Sequence, residues 1–435
     1  MRTRHTPWLT SLITSLLSLA GCPVTPGEEP PTEQPGPQLG EPLGLALPRT
    51  GIGPSELAVV VNTDDPLSAS IADAYMEARG IPPENRVELA LGGSPNLSRE
   101  VFIERKAELD GALGDDIQAI ALTSMSPQTV DCMATSAAFA LGFDTRWCQP
   151  GPPCNPTALA DTYDSDSTTP WLDHGVRPTM ILAAQDLAWA QSLIDRGVAA
   201  DGTMPRGSGF FVRTTDSARS TRWQAMQQAA TDWGEELDLS YIDNADGEGS
   251  NLIEDEDDIL FYLTGLVAVD GITSNTFRPG ALADHLTSFG GQIPESSQMS
   301  ALRWLEGGAT ASYGTPIEPC NFATKFPDPE VLVPRYLAGR TAVEAYWSSV
   351  WMPGEGNFLG EPLARPFAGA QTTYEDGLWT IVTTNLTPDQ RYQLQVATAP
   401  DGPWEEVFRV EFPTLGFHTV EVPDPIVGWY RFAED

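Results

Sequence analysis

One feature constrains this chain more than any other: unbroken apolar runs alternate with stretches of helical periodicity. Leu57-Ala58-Val59-Val60-Val61 is apolar at every position, the pattern of a strand buried on both faces rather than one with a wet side. After Asn62-Thr63-Asp64-Asp65-Pro66, a helix is predicted over about 68–79, with Ile71, Tyr75 and Ala78 on one face, Gly80 closing it and Pro82 beyond. A strand at 87–91, a helix at about 98–113 and a strand at 117–122 follow. Beyond a Cys-rich insertion at about 130–175 the alternation resumes. Strands are predicted at 179–184, 209–213, 259–263 and 309–313. Helices are predicted from Asp186 to Arg196-Gly197, around Trp223 and Met226, and at 299–306 and 341–350. Such alternation predicts an α/β domain over 46–367, with a mostly parallel sheet, helices on both faces and right-handed crossovers. Ligands of such sheets bind beyond the carboxyl ends of the strands. The loop holding Asp64 and Asp65, the loop after Leu263 and the segment from Gly314 onward are therefore the places to look.

After Phe367 the texture changes. Short alternating runs at 379–382, 392–397, 407–412, 418–422 and 429–432 are separated by turn sequences such as Pro400-Asp401-Gly402-Pro403. Residues 368–435 read as a small antiparallel β-sandwich of fibronectin or immunoglobulin type.

The N-terminal residues speak to location. Arg2 and Arg4 precede a mostly apolar stretch from Leu9 to Leu19, too short for a span that needs about 20 apolar residues. Residues 1–21 read as an export signal. Leu19-Ala20-Gly21-Cys22 looks like a bacterial lipobox, in which Cys22 becomes the acylated N-terminus and membrane anchor. Pro23, rather than Asp, follows it, which favours an outer-membrane or cell-surface destination. Residues 22–45 are rich in Pro, Gly and Glu, without Lys or Arg, and read as an extended tether.

Four cysteines remain, Cys132, Cys148, Cys154 and Cys320. In an exported chain an even number predicts disulfides, with three connectivities open; no CxxC pair suggests zinc. The balance of 24 Lys+Arg against 60 Asp+Glu, a formal charge of −36, argues against nucleic acid as a partner, because phosphates are held by clustered basic residues.

The stretch 277–367 carries recognisable motifs: Arg278-Pro279-Gly280, Ala283-Asp284-His285-Leu286-Thr287-Ser288-Phe289-Gly290-Gly291, Tyr313-Gly314-Thr315, Glu318-Pro319-Cys320, Glu344-Ala345-Tyr346-Trp347 and Gly360-Glu361-Pro362-Leu363. With Asp131-Cys132-Met133 and Ile194-Asp195-Arg196-Gly197-Val198, they resemble a family of exported bacterial proteins that brings no biochemical activity with it. More distantly the arrangement is similar to the caspase-like fold of gingipain-type cysteine peptidases. Those place His-Gly after one parallel strand and a nucleophilic Cys after the next. At the corresponding positions this chain has Thr264-Gly265 and Ser288-Phe289-Gly290, so the resemblance implies the fold without its dyad.

Other residues suit chemistry without proving it. His285 is a candidate general base, with Ser288 or Cys320 as its nucleophile; the competing reading is a histidine bonded locally to fix a loop. Asn244, Asp246 and Glu248 before Gly249, with Asp255 beyond, resemble an oxygen-rich calcium loop, although a solvated acidic turn fits as well. Asp161, Asp164 and Asp166 form a second acidic cluster. Asp64 and Asp65 either touch a ligand or cap the next helix. Neither GxGxxG after the first strand nor GxxxxGK[ST] is present, so nucleotide binding lacks support. Trp347 and Trp351, four apart, read as core. The sequence thus predicts a surface protein that binds or scaffolds a peptide, protein or glycan. A divergent hydrolase using His285 with Cys320 or Ser288 is the alternative.

Overall fold

The computed structural model describes residues 38–148 and 154–435. The expected signal segment, Cys22 and the tether as far as residue 37 lie outside the described residues. Ten strands make the main sheet. They are β1 (Leu57–Asn62), β2 (Arg86–Leu89), β3 (Ala119–Leu122), β4 (Thr179–Ile181), β5 (Ser208–Arg213), β6 (Leu239–Asp243), β7 (Ile259–Thr264), β8 (Phe277–His285), β9 (Ala311–Gly314) and β10 (Asn357–Gly360). Their order is β6-β5-β7-β8-β9-β10-β4-β3-β1-β2. Only β9 and β10 run antiparallel, pairing Ala311 with Gly360 and Gly314 with Asn357. The other strand pairs in this sheet are parallel, and β10 meets β4 at the single pair Leu359–Ile181.

The sheet is mostly parallel, as the alternation predicts, and β10, antiparallel to β9, divides it into two halves, β6-β5-β7-β8-β9 and β4-β3-β1-β2. Each half repeats one pattern: its first strand is flanked by its second on one side and its third on the other, as β2-β1-β3 and β6-β5-β7. Asn357 at the start of β10 donates through Nδ2 to the Gln128 carbonyl at 2.9 Å and to the Gly291 carbonyl at 3.3 Å, and Gln128 Nε2 donates to the Ile293 carbonyl, so the loops that follow β3 and β8 meet at one edge of the sheet. That carboxyl edge is where α/β sheets bind ligands.

Burial explains the elements. Every residue of β1 and of β7 is buried, as expected of strands covered by helices on both faces. Helix α1 (Pro66–Arg79) starts where Asp65 accepts from the Leu67 amide at 3.0 Å, has Pro66 at its first position, and ends where Gly80 takes a left-handed φ of 64°. Helix α2 (Arg99–Ala112) is capped by Ser98. Helix α3 (Thr135–Leu141) is followed, after β4, by α4 (Leu187–Ala200), which Asp186 caps. Helix α4 runs through Gly197 rather than stopping there. Any side chain at that position would collide with the buried Glu361 carboxylate, so the glycine marks a close approach and not a helix end. Helices α5 (Trp223–Leu237), α6 (Leu302–Gly307), α7 (Pro329–Leu337) and α8 (Ala342–Ser348) complete the layers. Val59, Ile120, Ile181, Phe261, Leu282, Tyr336 and Trp347 belong to one continuous core. Truncating a fully buried member such as Leu282 to Ala would cost about 2–5 kcal/mol.

The C-terminal strands are β11 (Ala370–Glu375), β12 (Leu378–Thr383), β13 (Arg391–Ala397), β14 (Glu405–Glu411), β15 (His418–Pro423) and β16 (Trp429–Glu434). They form two small sheets, β11-β12-β15 and β16-β13-β14, over a shared core of Trp379, Ile381, Tyr392, Leu394, Val420, Tyr430 and Phe432. The four-stranded sheet is completed by Gly44–Ala46, which pairs parallel to β16, and Leu39 bridges to Ile426. The tether expected to run to 45 thus gives way to structure earlier. Gly44 lies against the Trp429 ring, where a larger residue would not fit. Residues 39–435 form a single compact unit.

All four remaining cysteines are paired, Cys132 with Cys148 and Cys154 with Cys320. Among the described residues no helix is long and apolar enough to cross a membrane.

Candidate functional site

The carboxyl edge of the second half brings together the residues that the motifs single out. β8 ends in Asp284 and His285, both buried. Asp284 Oδ1 accepts from Arg222 Nη2 at 2.5 Å; the same nitrogen donates to the Thr264 carbonyl at 3.1 Å, and Nη1 donates to the Pro327 carbonyl at 2.9 Å. Arg222 stands just before α5 and so ties the ends of β7 and β8 to the entry of α7. Asp284 Oδ2 and Arg222 Nε are buried without a hydrogen-bond partner. Burial raises the Asp284 carboxyl above its usual range, against the pull of Arg222.

His285 is held from the other side. Trp304 Nε1 donates to its Nδ1 at 2.9 Å. A nitrogen that accepts carries no proton, so in the neutral ring the proton sits on Nε2, which makes no hydrogen bond of good geometry. Burial pushes the imidazole down to about 3, and the Arg222 cation acts in the same direction. A general base needs a lone pair facing the reactant. The one lone pair of His285 is occupied by an indole inside the core.

The crevice between β5 and β7 is filled from within. Thr214 Oγ1 donates to the Gly265 carbonyl at 2.7 Å, and Gly265 packs so closely on the Arg219 carbonyl that no Cβ could be accommodated. Arg219 in turn reaches Thr287 Oγ1 at 3.2 Å and Asp216 at 2.8 Å. Thr264 Oγ1 is turned to the Val212 carbonyl at 3.3 Å.

Ser288 and Cys320 are brought together, but not with His285. Ser288 Oγ donates to Glu318 Oε1 at 2.9 Å, and the Cys320 amide donates to the same oxygen at 2.8 Å. The Cys320 sulfur is bonded to Cys154, so it presents no thiolate. A His285–Cys320 or His285–Ser288 dyad is therefore not assembled: the imidazole nitrogen, the hydroxyl and the sulfur each have another partner.

Asp64 and Asp65 act locally. Asp65 caps α1 and accepts from Ser124 Oγ at 3.0 Å, while Asp64 Oδ2 accepts from the Gly92 amide at 2.8 Å. Two of the oxygens expected to bind calcium are likewise turned to the loop itself. Asn244 Oδ1 accepts from the Gly249 amide at 2.7 Å and Asp246 Oδ1 from the Glu248 amide at 3.1 Å, while the Asp255 amide donates to Ser274 Oγ at 3.0 Å. Among the described residues no group of three or more His, Cys, Asp or Glu is arranged to hold a metal. In the other acidic cluster, Asp164 pairs with Arg335 at 2.8 Å.

Two grooves flank the buried network. One, of about 480 Å³, lies between the loops that follow β7 and β8, with Asp270, Glu295, Gln298, Arg303 and Glu306 among its walls. Two of its hydroxyls are spent on backbone: Ser296 donates to the Phe289 carbonyl at 2.8 Å and Ser300 to that of Gln292 at 2.7 Å. The other, of about 280 Å³, lies between the start of α5 and the start of α7, lined in part by Arg222, Asp328, Glu330, Tyr163 and Trp351. Sequence reasoning missed it. Trp347 is core, stacked on Phe358 with centroids 4.4 Å apart, but Trp351 is 40% exposed, so the pair read as one apolar face is split. The available signal was the helix end: α8 stops at Ser348, which leaves Trp351 beyond it. Compared with protein-family models, with curated proteins and with solved structures, the chain matches none.

Proposed function

We propose that this chain is an exported, lipid-anchored surface protein that binds a peptide or protein ligand, built on a caspase-like α/β body without the peptidase chemistry and carrying a fibronectin-like sandwich. The N-terminal reading, with Cys22 as the acylated residue, supports the anchor. Two disulfides are compatible with an oxidising compartment. The observation that carries the reading is the pairing at the carboxyl edge of the second half. The lone pair of His285 is taken by Trp304 and the sulfur of Cys320 by Cys154. Hydrolysis by either candidate nucleophile needs a base within hydrogen-bond reach, which this arrangement withholds. A library of peptides and esters incubated with the full chain is expected to show no turnover that depends on His285. Efficient hydrolysis abolished in His285→Ala would overturn the reading.

A further inference from the structure

The 280 Å³ groove has the makings of a specific recognition site. The Cys-rich insertion is tied to the end of α8 by the Ala160 amide on the Trp351 carbonyl at 2.9 Å and the Asp164 amide on the Ser348 carbonyl at 2.8 Å. That brings the Tyr163 ring against Trp351, nearly parallel at 14° with centroids 5.0 Å apart. The Tyr163 hydroxyl donates to Asp328 Oδ2 at 2.8 Å, while Asp328 Oδ1 caps α7 through the Glu330 amide at 3.0 Å. An aromatic face and two carboxylates thus line one groove, and part of it is fixed before any ligand arrives.

The charge here is uncompensated. Among the described residues neither Asp328 nor Glu330 forms an ion pair, whereas Asp164 and Glu306 on neighbouring grooves are each paired with an arginine. Partial burial, with Asp328 and Asp232 nearby, holds the Glu330 carboxyl above its usual range. Two donors on the inner wall, Thr221 Oγ1 and the Nε of the buried Arg222, have no partner within the protein. Arg222 does not cancel the field, because its charge is matched by Asp284.

We propose that this groove binds the cationic end of an arginine or lysine side chain on a peptide, with the aliphatic stem against Trp351 and the cation beside Asp328 and Glu330. A cation is attracted to the face of an indole, and more strongly where carboxylates share the site. The volume, about 280 Å³, suits one side chain and its backbone. This inference rests on the reading that the edge binds rather than cleaves.

The test is calorimetric titration of the full chain with N-acetyl-arginine amide, N-acetyl-lysine amide, the neutral N-acetyl-norleucine amide and a maltooligosaccharide. The cationic probes are expected to bind saturably and to weaken with added salt, and norleucine should bind roughly tenfold more weakly. Trp351→Ala and Glu330→Gln should each weaken the cationic probes roughly fivefold or more, while melting as wild type does. Asp328→Asn keeps the helix cap and should also weaken them. Equal binding of norleucine or of the oligosaccharide, no saturation by about 10 mM cationic probe, or full affinity in Trp351→Ala would overturn the proposal. Cleavage of the arginine amide, followed by ammonia release, would instead overturn the non-catalytic reading and leave the cation site standing.

Discussion

The two edges of the sheet are finished differently. At the amino edge, where α1 and α4 end, the polar groups satisfy one another. Glu361, fully buried, accepts from the Tyr75 hydroxyl at 2.6 Å, from both Arg79 Nε and Nη2, and from the Leu363 amide at 3.1 Å, while Asp201 takes the remaining Arg79 nitrogen. At the other end of α1, Ser68 Oγ meets Thr123 Oγ1 at 2.8 Å, and Asn62 holds the loop at Leu91 and Gly92. At the edge of the second half, Asp284 has one partner for two oxygens, His285 one for two nitrogens, and grooves of about 480 and 280 Å³ lie alongside. A closed polar network fixes a fold; an incompletely paired one beside open space is where a ligand finds unused hydrogen bonds and charge.

The contrast is open to attack at several strengths. The largest effect is expected for Arg222→Ala, which strands the buried Asp284 carboxylate and should cost about 3–5 kcal/mol in denaturant unfolding. At the other edge Asp201→Ala leaves Arg79 with Glu361 and should cost about 1–2 kcal/mol. Equal costs would break the comparison. Next is the disulfide Cys154–Cys320, which closes a separation of 166 residues and joins the insertion to the segment before Phe326, whereas Cys132–Cys148 closes 16. Replacing both members by Ser should cost more for the first bond than for the second, within about 2–5 kcal/mol; a reversed order in melting experiments would count against this role.

A third effect is pH dependence. His285 titrates near 3 when folded and at its ordinary value of about 6.5 when unfolded, so the unfolded chain binds the extra proton between these values. The stabilising contribution of a neutral His285 is therefore complete above about 6.5 and is lost as pH falls toward 3, amounting to about 2 kcal/mol by pH 5. The stability gap between wild type and His285→Gln should narrow by that amount from pH 7 to pH 5. A constant gap would mean that the imidazole is not sealed. The smallest effect is expected for Glu330→Gln, within about 0.5 kcal/mol, because Glu330 is exposed and without an ion pair. A substantial loss of stability would turn the groove residue into a structural one.

Much of this architecture was legible in the sequence, for identifiable reasons. Continuous apolar runs such as 57–61 and 259–263 can only be strands covered on both faces, and Asp65, Asp186 and Gly80 mark helix ends through caps that depend on one residue each. Three strands of the main sheet were not legible. β8 begins Phe277-Arg278-Pro279-Gly280, which reads as a turn; β6 adjoins the acidic loop; β10 has only four residues. Missing β10 hides the antiparallel pairing with β9 and the strand that joins the two halves. The site suffered similarly. His285 stood out by residue type, but its fate depends on Trp304, 19 residues away on α6, and that of Cys320 on Cys154, 166 residues away. Which nitrogen or sulfur is already taken is a matter of tertiary contact, to which periodicity and spacing are blind.

Covalent labelling tests the central claim most directly. The full chain is treated, without reductant, with iodoacetamide and with an alkyl fluorophosphonate, and the modified residues are mapped by mass spectrometry. The prediction is that neither Cys320 nor Ser288 is modified, and that the tryptic map shows Cys132 joined to Cys148 and Cys154 to Cys320. Modification of either candidate nucleophile that disappears in His285→Ala would contradict it, and would make this edge a hydrolase site.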